Sequence, residues 1–388
     1  MNKEFSLHYD DIAINITFES NFNEVEKFMR EYFQPYFLWV EKIVEERRAD
    51  VRVFLGKKPD HAPSFKDSPL IRIDDSGSFL HCSAHKVQDG QISWLKLMPF
   101  GTIVSVDRFA RAIAVYGFTE DCLKVPLLRI IEDIVAVELQ SEGAIFIHAS
   151  GVEVDGRVIL LIGNKGAGKT TGLARLLSTF NARKVCNDTA VLFTRSDGSI
   201  TVRGWPSFFK VSLGSIAAII ELAGAFPQAH RDTLADEGRL WSIYKKVALF
   251  PMQAAELFGA DILAEGKLGS VILARFSMSD PPRCVALDWA EASQSFDQFL
   301  QGLYNPNHSS EFHLAAVSKQ DVQRSMKSFL QTATKISVPL YEMRWAPAIE
   351  DMFSLVPELR LGRKSIHRAM TAVQQVDDRF SLPKELIK

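Results

Sequence analysis

Cysteine is scarce in this 388-residue chain, and its placement is informative. Cys82, Cys122, Cys186 and Cys284 stand far apart and form no CxxC pair. That spacing argues against a zinc knuckle or a disulfide framework and fits a reducing cytoplasm. Long apolar runs are also missing. Stretches such as VILLIG are strand-sized and too short to span a bilayer. The N-terminal MNKEFSLHYDD is charged and lacks the apolar segment of a signal peptide. Neither sign of charge dominates: 45 Lys and Arg face 47 Asp and Glu, for a net charge of −2. No basic field is available to hold a nucleic-acid backbone. HExxH and GxSxG are absent, which removes the metalloprotease and serine-hydrolase readings. Internal repeats and low-complexity tracts are absent too. The expectation is a soluble cytoplasmic protein with neither nucleic acid nor membrane as partner.

What is present is an ordinary globular composition, 47% hydrophobic and 24% charged, at a length suited to two or three domains. Residues 1–124 read as a small α+β unit. FSLHYDDIAINITF alternates like a strand pair broken at Asp10-Asp11, and NEVEKFMREYFQPYF has helical spacing. VRVFLG and LIRIDD are short strands. FLHCSAHKVQDGQISWLKL is a hairpin around Asp89-Gly90, and TIVSVDRFARAIAVYG continues the strand character. Residues 125–357 read as an α/β core. The helix PLLRIIEDIVAVELQSEG ends at Gly143, and IFIHASGVEVDGRVILLIG makes two strands joined at Asp155-Gly156. A glycine loop, the helix KTTGLARLLSTF and the strand RKVCND follow. TAVLFTRSDGSITVRG is a hairpin turning at Asp197-Gly198. Strand GSVILARF, helices ASQSFDQFLQGLY and SKQDVQRSMKSFLQTA, and a last strand KISVPLYEMRW complete a partly parallel sheet. Residues 358–388 read as a helical tail.

Gly163-Asn164-Lys165-Gly166-Ala167-Gly168-Lys169-Thr170 fits G-x-x-x-x-G-K-[ST] at every fixed position. Glycines let the backbone wrap phosphate oxygens with its N–H groups pointing inward. The helix that follows turns its N-terminal dipole and free N–H groups to the same anion. Lys169 reaches the β- and γ-phosphates, and the Thr170 hydroxyl is placed to ligate Mg²⁺. The set expected to bind nucleotide runs from Gly163 through Thr170 to Thr171. The apolar strand before the loop and the amphipathic helix after it supply the context that a chance spelling lacks.

Such a loop needs a carboxylate on a neighbouring strand. The candidate is Asp188, ending RKVCND, although an Asn-Asp pair also serves as a plain turn former. It lies 19 positions after Lys169 (188 − 169 = 19), closer than most P-loop ATPases place it. With HASGVEVDGRVILLIGNKGAGKTT before it and ARKVCNDTAVLF around it, the chain resembles the HPr kinase/phosphorylase family, which shares a fold with phosphoenolpyruvate carboxykinase. RGWPSFFKVSLGSI, YKKVALFPMQAAELFG and LGSVILARF also fall where relatives carry later core segments. The resemblance covers residues 140–280 well and 280–357 loosely. It implies that Gly163 to Thr170 hold nucleotide phosphates, that Asp188 binds Mg²⁺ or acts as base, and that His148, 21 positions before Lys169 (169 − 148 = 21), matches a histidine near the catalytic carboxylate.

One departure stands out. Asn187 occupies the first position of the family's acidic pair, where bifunctional members carry an aspartate base, and Asn cannot accept a proton. A reversible kinase/phosphorylase cycle is therefore not implied, and HPr is not implied as substrate. Transfer itself rests on positioning and electrostatics more than on strong base catalysis. Other residues carry two readings each. His148 is a satisfied core histidine or a catalytic one. Lys245-Lys246, after Trp241 and Tyr244 in a stretch of helical character, are a solvated face, or Lys246 contacts the γ-phosphate. Arg203 and Lys210 flank GWPSFF as surface charges or line an acidic acceptor pocket. Trp205-Pro206 packs in a turn or stacks on a base. SKQD at 318–321 resembles the guanine-reading spelling but opens a helical pattern without a DxxG partner, so adenine is preferred.

The expected fold is thus α/β: a P-loop core of HPr kinase/carboxykinase type with an N-terminal α+β domain. The expected activity is an ATP- and Mg²⁺-dependent kinase acting on a hydroxyl of a small molecule or peptide, in a chain that could form a homo-oligomer. Its catalytic set is Lys169, Asp188, His148 and the departing Asn187, with Thr170 and Asp188 on the metal. The alternatives are a nucleotide sensor without transfer, favoured by Asn187, and a carboxykinase-like lyase, which would need a second set of metal ligands.

Overall fold

Alternating apolar residues at the N-terminus make the first hairpin. β1 (Lys3–Tyr9) and β2 (Ile12–Phe18) pair antiparallel across Asp10-Asp11, with Asp10 at φ 58°. A computed structural model describes residues 2–20, 22–73, 82–226, 246–277, 283–301, 311–345, 353 and 356. The fold is mixed α/β with two large mixed sheets, and the chain divides into two compact units. Residues 1–144 and 301–325 form the first; residues 145–300 and the chain from 326 form the second. The tail at 358–388, together with Trp241, Tyr244 and Lys245, lies outside the described residues. Among the described residues no helix is long and apolar enough to cross a membrane.

In the first unit the hairpin is joined by β3 (Leu38–Val40), β4 (Ala49–Leu55), β5 (Leu70–Ile73), β6 (Cys82–Asp89), β7 (Ile92–Leu97), β8 (Thr102–Asp107) and β9 (Ala112–Gly117). The nine strands run in the order β3-β1-β2-β4-β9-β8-β7-β6-β5, parallel at β2–β4 and β4–β9 and antiparallel elsewhere. The β6–β7 turn is Gly90-Gln91 rather than Asp89-Gly90, because Asp89 still pairs with Ile92. Helix α1 (Asn23–Phe33) buries Val25, Phe28, Met29, Tyr32 and Phe33, a spacing of three and four that gives one apolar face. It stops short of the expected Phe37, since Gln34 before Pro35 is extended at ψ 145°.

Helix α2 (Asp121–Ser141) begins five residues before Pro126 rather than at it. Proline has no N–H to offer the carbonyl of Cys122, and the buried Thr102 hydroxyl donates to that carbonyl instead at 2.7 Å. α2 packs on α1 and on β2, β8 and β9, and belongs to the first unit. The division therefore falls at Ala144, after α2, whereas the sequence reading set it at 124.

The second unit holds β10 (Ile145–Ile147), β11 (Ala149–Val154), β12 (Arg157–Ile162), α3 (Lys169–Thr179), β13 (Arg183–Cys186), β14 (Ala190–Thr194) and β15 (Ile200–Gly204). The pair β16 (Phe209–Ser212) and β17 (Lys246–Leu249) forms a separate ribbon, with α4 (Leu213–Ala218) and α5 (Ile220–Ala225) after β16 and α6 (Pro251–Leu257) after β17. β18 (Glu265–Phe276), β19 (Arg283–Ala286), α7 (Trp289–Phe296), α8 (Lys319–Lys335, which starts in the first unit) and β20 (Leu340–Trp345) complete it. The sheet order is β10-β14-β15-β18-β12-β11-β13, with β20 taking over the β18 edge beyond β15 and β19 outside it. β12, β18 and β20 are mutually parallel through β18, the parallel centre of an otherwise antiparallel sheet.

Three expectations shift here. IFIHASGVEV is two strands, broken at His148 where the chain leaves β14 and joins β12 and β13. Lys246 begins a strand, not a helix. α8 runs on through Lys335, so the last strand starts only at Leu340. α3 lies on one sheet face, where Leu173, Leu176 and Leu177 pack with Ile159, Leu161, Ile272, Met343 and Trp345. Each such side chain contributes roughly 1.5–3 kcal/mol on full burial.

Thr102→Val removes the hydroxyl while keeping the shape. The Cys122 carbonyl is left without its side-chain partner, and stability is expected to fall by about 1–3 kcal/mol in urea unfolding, with Thr102→Ser close to wild type. Equal stability of the Val and Ser variants would show that the hydroxyl does not compensate for the proline.

Candidate functional site

The five apolar residues Val158 to Ile162 of β12 lead directly into the glycine loop, and α3 starts at Lys169. Gly168 caps α3 with φ 87°, a left-handed conformation that glycine adopts without a Cβ penalty. A Cβ there would lie 1.8 Å from Trp345 Cζ2. The same indole donates Nε1–H to the Ala167 carbonyl at 3.2 Å. Trp345 thus presses on the loop from the end of β20, and no sequence signal pointed to it. Gly166 also has a positive φ, 86°, but faces open space. Asn164, Lys165 and Gly166 form the exposed rim of the loop.

Lys169 is 7% exposed, and its ammonium donates to the carbonyls of Gly163 at 2.6 Å and Asn164 at 3.1 Å. Burial lowers its pKa to about 8, with Asp188 opposing and Lys246 reinforcing the shift. Thr170 is half-buried in the first turn of α3. Thr171 turns away from the loop: its hydroxyl meets that of Ser215 on α4 at 2.6 Å, which makes it a tether rather than an exposed donor.

Asp188 follows β13 with φ 73°, an uncommon backbone for a non-glycine residue and one that Asp tolerates. His148 Nδ1 lies 3.4 Å from Asp188 Oδ1. Burial lowers the His148 pKa; Asp188 acts against this, and Lys169 and Lys246 with it. The imidazole is therefore mainly neutral at pH 7. Lys246, at the start of β17, also lies in the electrostatic reach of Asp188, Lys165, Lys169 and His148. The structure thus brings Lys169, Asp188 and His148 together, and adds Lys246.

Asn187 is placed differently. It is 2% exposed; its amide donates to the Phe208 carbonyl at 3.1 Å, and its side-chain oxygen accepts from Ser150 at 3.4 Å. Ser207 Oγ donates to its backbone carbonyl. These bonds hold the turn that presents Asp188. Several other candidates have structural partners of their own. Arg203 pairs with Glu265, Trp205 packs edge-on against Phe146 with ring centres 5.0 Å apart, and Ser318 and Asp321 cap α8 reciprocally. A cleft of about 570 Å³, lined in part by Arg157, Lys267 and Ser270, sits at the opposite end of β12 from the glycine loop.

A family model described as "SynChlorMet cassette protein ScmC" matches residues 118–229, a span that contains the glycine loop, His148 and Asp188 but less than a third of the chain. Among solved structures, the HPr(Ser) kinase/phosphatase from Coxiella burnetii is similar at 15% identity, over 37% of this chain and 70% of that one, with a TM-score of 0.20. A score that low lends no weight to a mechanism. No curated protein matches the chain.

Gly168→Ala and Gly166→Ala share a left-handed cost of about 1–2 kcal/mol, but only the first collides with Trp345. Gly168→Ala is expected to lose a further 1–3 kcal/mol or so in urea unfolding. Equal losses for the two variants would remove Trp345 as the constraint on the loop.

Proposed function

We propose that this chain is a phosphotransferase with a core of HPr kinase/carboxykinase type, moving the γ-phosphoryl group of ATP to a hydroxyl of a small molecule or a peptide. One observation carries the reading: His148, just after β10, lies 3.4 Å from the carboxylate of Asp188, and Lys169 at the start of α3 is within electrostatic reach of the same carboxylate. A buried ammonium at a helix N-terminus, beside a glycine loop, suits the terminal phosphates of a nucleotide. On binding, Lys169 exchanges the Gly163 and Asn164 carbonyls for phosphate oxygens. Thr170 and Asp188 offer a hydroxyl and a carboxylate, the hard oxygen donors Mg²⁺ takes. No cluster of three or more His, Cys, Asp or Glu that could hold a metal occurs among the described residues, so phosphate oxygens and water complete the shell in this reading. When bound there, the metal supplies neutralisation of phosphate charge. Asp188 and the neutral His148 orient the acceptor hydroxyl and receive its proton.

Asn187 supports a second reading, nucleotide sensing without transfer. It stands where the family resemblance expects a base, yet it is buried and committed to Phe208 and Ser150. The two readings separate with γ-labelled ATP, Mg²⁺ and a fractionated cytoplasmic extract. Transfer predicts label in one metabolite or peptide fraction, reduced about 10²-fold or more in Asp188→Ala. Sensing predicts bound nucleotide with label remaining on ATP in every fraction.

The site also predicts a pH dependence. Lys169 is charged below its pKa of about 8 and attracts phosphate; above it the free protein loses that proton. The pKa of Lys246 is lowered too, by desolvation first, with Asp188 opposing and Lys165 reinforcing the shift, and adds the same sign. ATP affinity should fall between pH 8 and 10, by up to about tenfold per unit. A dissociation constant that is flat from pH 7 to 10 would take Lys169 out of the phosphate position.

A further inference from the structure

The β16–β17 ribbon is tied to the first turn of α3 by three hydroxyls. Thr171 Oγ1 meets Ser215 Oγ at 2.6 Å, and Ser215 Oγ meets Ser212 Oγ at 3.0 Å. Ser212 in turn is the strand partner of Lys246. It also caps α4, accepting the Ser215 N–H at 3.3 Å, so its own position is fixed. This chain of contacts sets the backbone of Lys246 relative to the residue two places after Lys169. Its side chain shares the field of Asp188 with Lys169 and His148, and Lys165 acts on it as a second cation.

These cations differ in their anchorage. Lys169 is held by loop carbonyls at the base of the glycine loop, and Lys165 stands on its exposed rim. Lys246 comes from a separate element, outside the strand–loop–helix unit that wraps the inner phosphates. A cation entering from outside that unit, toward the carboxylate opposite it, meets the outermost phosphate. Two ammonium groups, Lys169 and Lys246, share the one carboxylate of Asp188, and Lys165 adds its charge beside Lys246, so among these described groups positive charge is in excess. A triphosphate carries more negative charge at its end than a diphosphate and is favoured by that excess.

Resting on the nucleotide reading above, we propose that Lys246 contacts the terminal phosphate and makes the site discriminate ATP from ADP. The hydroxyl chain Thr171–Ser215–Ser212 is the positioning device for that contact.

Binding of ATP and of ADP to the full chain, each with Mg²⁺, tests this by calorimetry. Lys246→Gln is expected to weaken ATP about tenfold while leaving ADP within about twofold, and Lys246→Arg to restore most of the preference. ADP affinity serves as the internal control for folding. Ser215→Ala should move in the same direction with a smaller change. Equal weakening of both nucleotides, or no change in either, overturns the role of Lys246 and leaves the nucleotide reading intact. Failure of the wild type to bind either nucleotide overturns both, and is seen before any variant is made.

Discussion

The approach of α3 to the end of β12 is limited at two positions where a side chain has no room. At Gly172 a Cβ would stand 2.8 Å from Leu161 Cδ1, and at Gly168 it would run into Trp345. Between them these residues set how deeply the first turn of α3 enters the sheet. The apolar face of α3, Leu173, Leu176 and Leu177, supplies the force that drives it there. A larger residue at either glycine would slide or tilt the helix, and the N–H groups of its first turn would aim elsewhere. The direction of those groups is what makes a helix N-terminus an anion site. Packing and chemistry therefore meet in the same two residues, and Trp345 belongs to both.

The electrostatics follow from that packing. Holding Lys169 nearly out of water, with a pKa of about 8 against 10.5, costs on the order of 3 kcal/mol at neutral pH. Two loop carbonyls and Asp188 offset only part of the lost hydration. A site that keeps a cation under such strain is relieved by an anion brought to it. The fold tolerates the cost because the surrounding apolar cluster is large, and strain of this kind concentrates where something binds. His148 experiences the same environment with the opposite outcome: burial leaves it neutral, and the nearby ammonium groups favour that state.

Much of this was legible in the sequence wherever a local rule had no competitor. The strand, glycine loop and helix from Arg157 to Thr179 follow from spelling and periodicity, and the turn at Asp155-Gly156 follows from its pair of positive-φ residues. Errors arose where distant parts of the chain overrule local preference. Pro126 marked a helix start in the sequence, but Thr102 supplies the bond that lets α2 begin earlier. His148 sat inside an unbroken apolar pattern, but the strand changes partners there. Trp345 and Ser215 carry no signal at all: one lies far along the chain from the loop it braces, and both are ordinary members of their own elements. Their roles exist only once β20 and α4 are packed.

Asn187, which stands where the family resemblance expects an acid, has surroundings that suit an amide. Its position is buried and must both donate, to the Phe208 carbonyl, and accept, from Ser150. A carboxylate can only accept when ionised, so an aspartate there would leave the Phe208 carbonyl without that donor and place a second negative charge in the interior beside Asp188. An amide satisfies both partners and carries no charge. The turn it stabilises holds Asp188 in a left-handed backbone, which leaves that side chain more open than its neighbour. Among the described residues, the carboxylate that this turn presents beside His148 is that of Asp188. In the transfer reading proposed above, the acceptor's proton passes to Asp188 or to the neutral imidazole beside it, and the nearby cations act by holding charge in place.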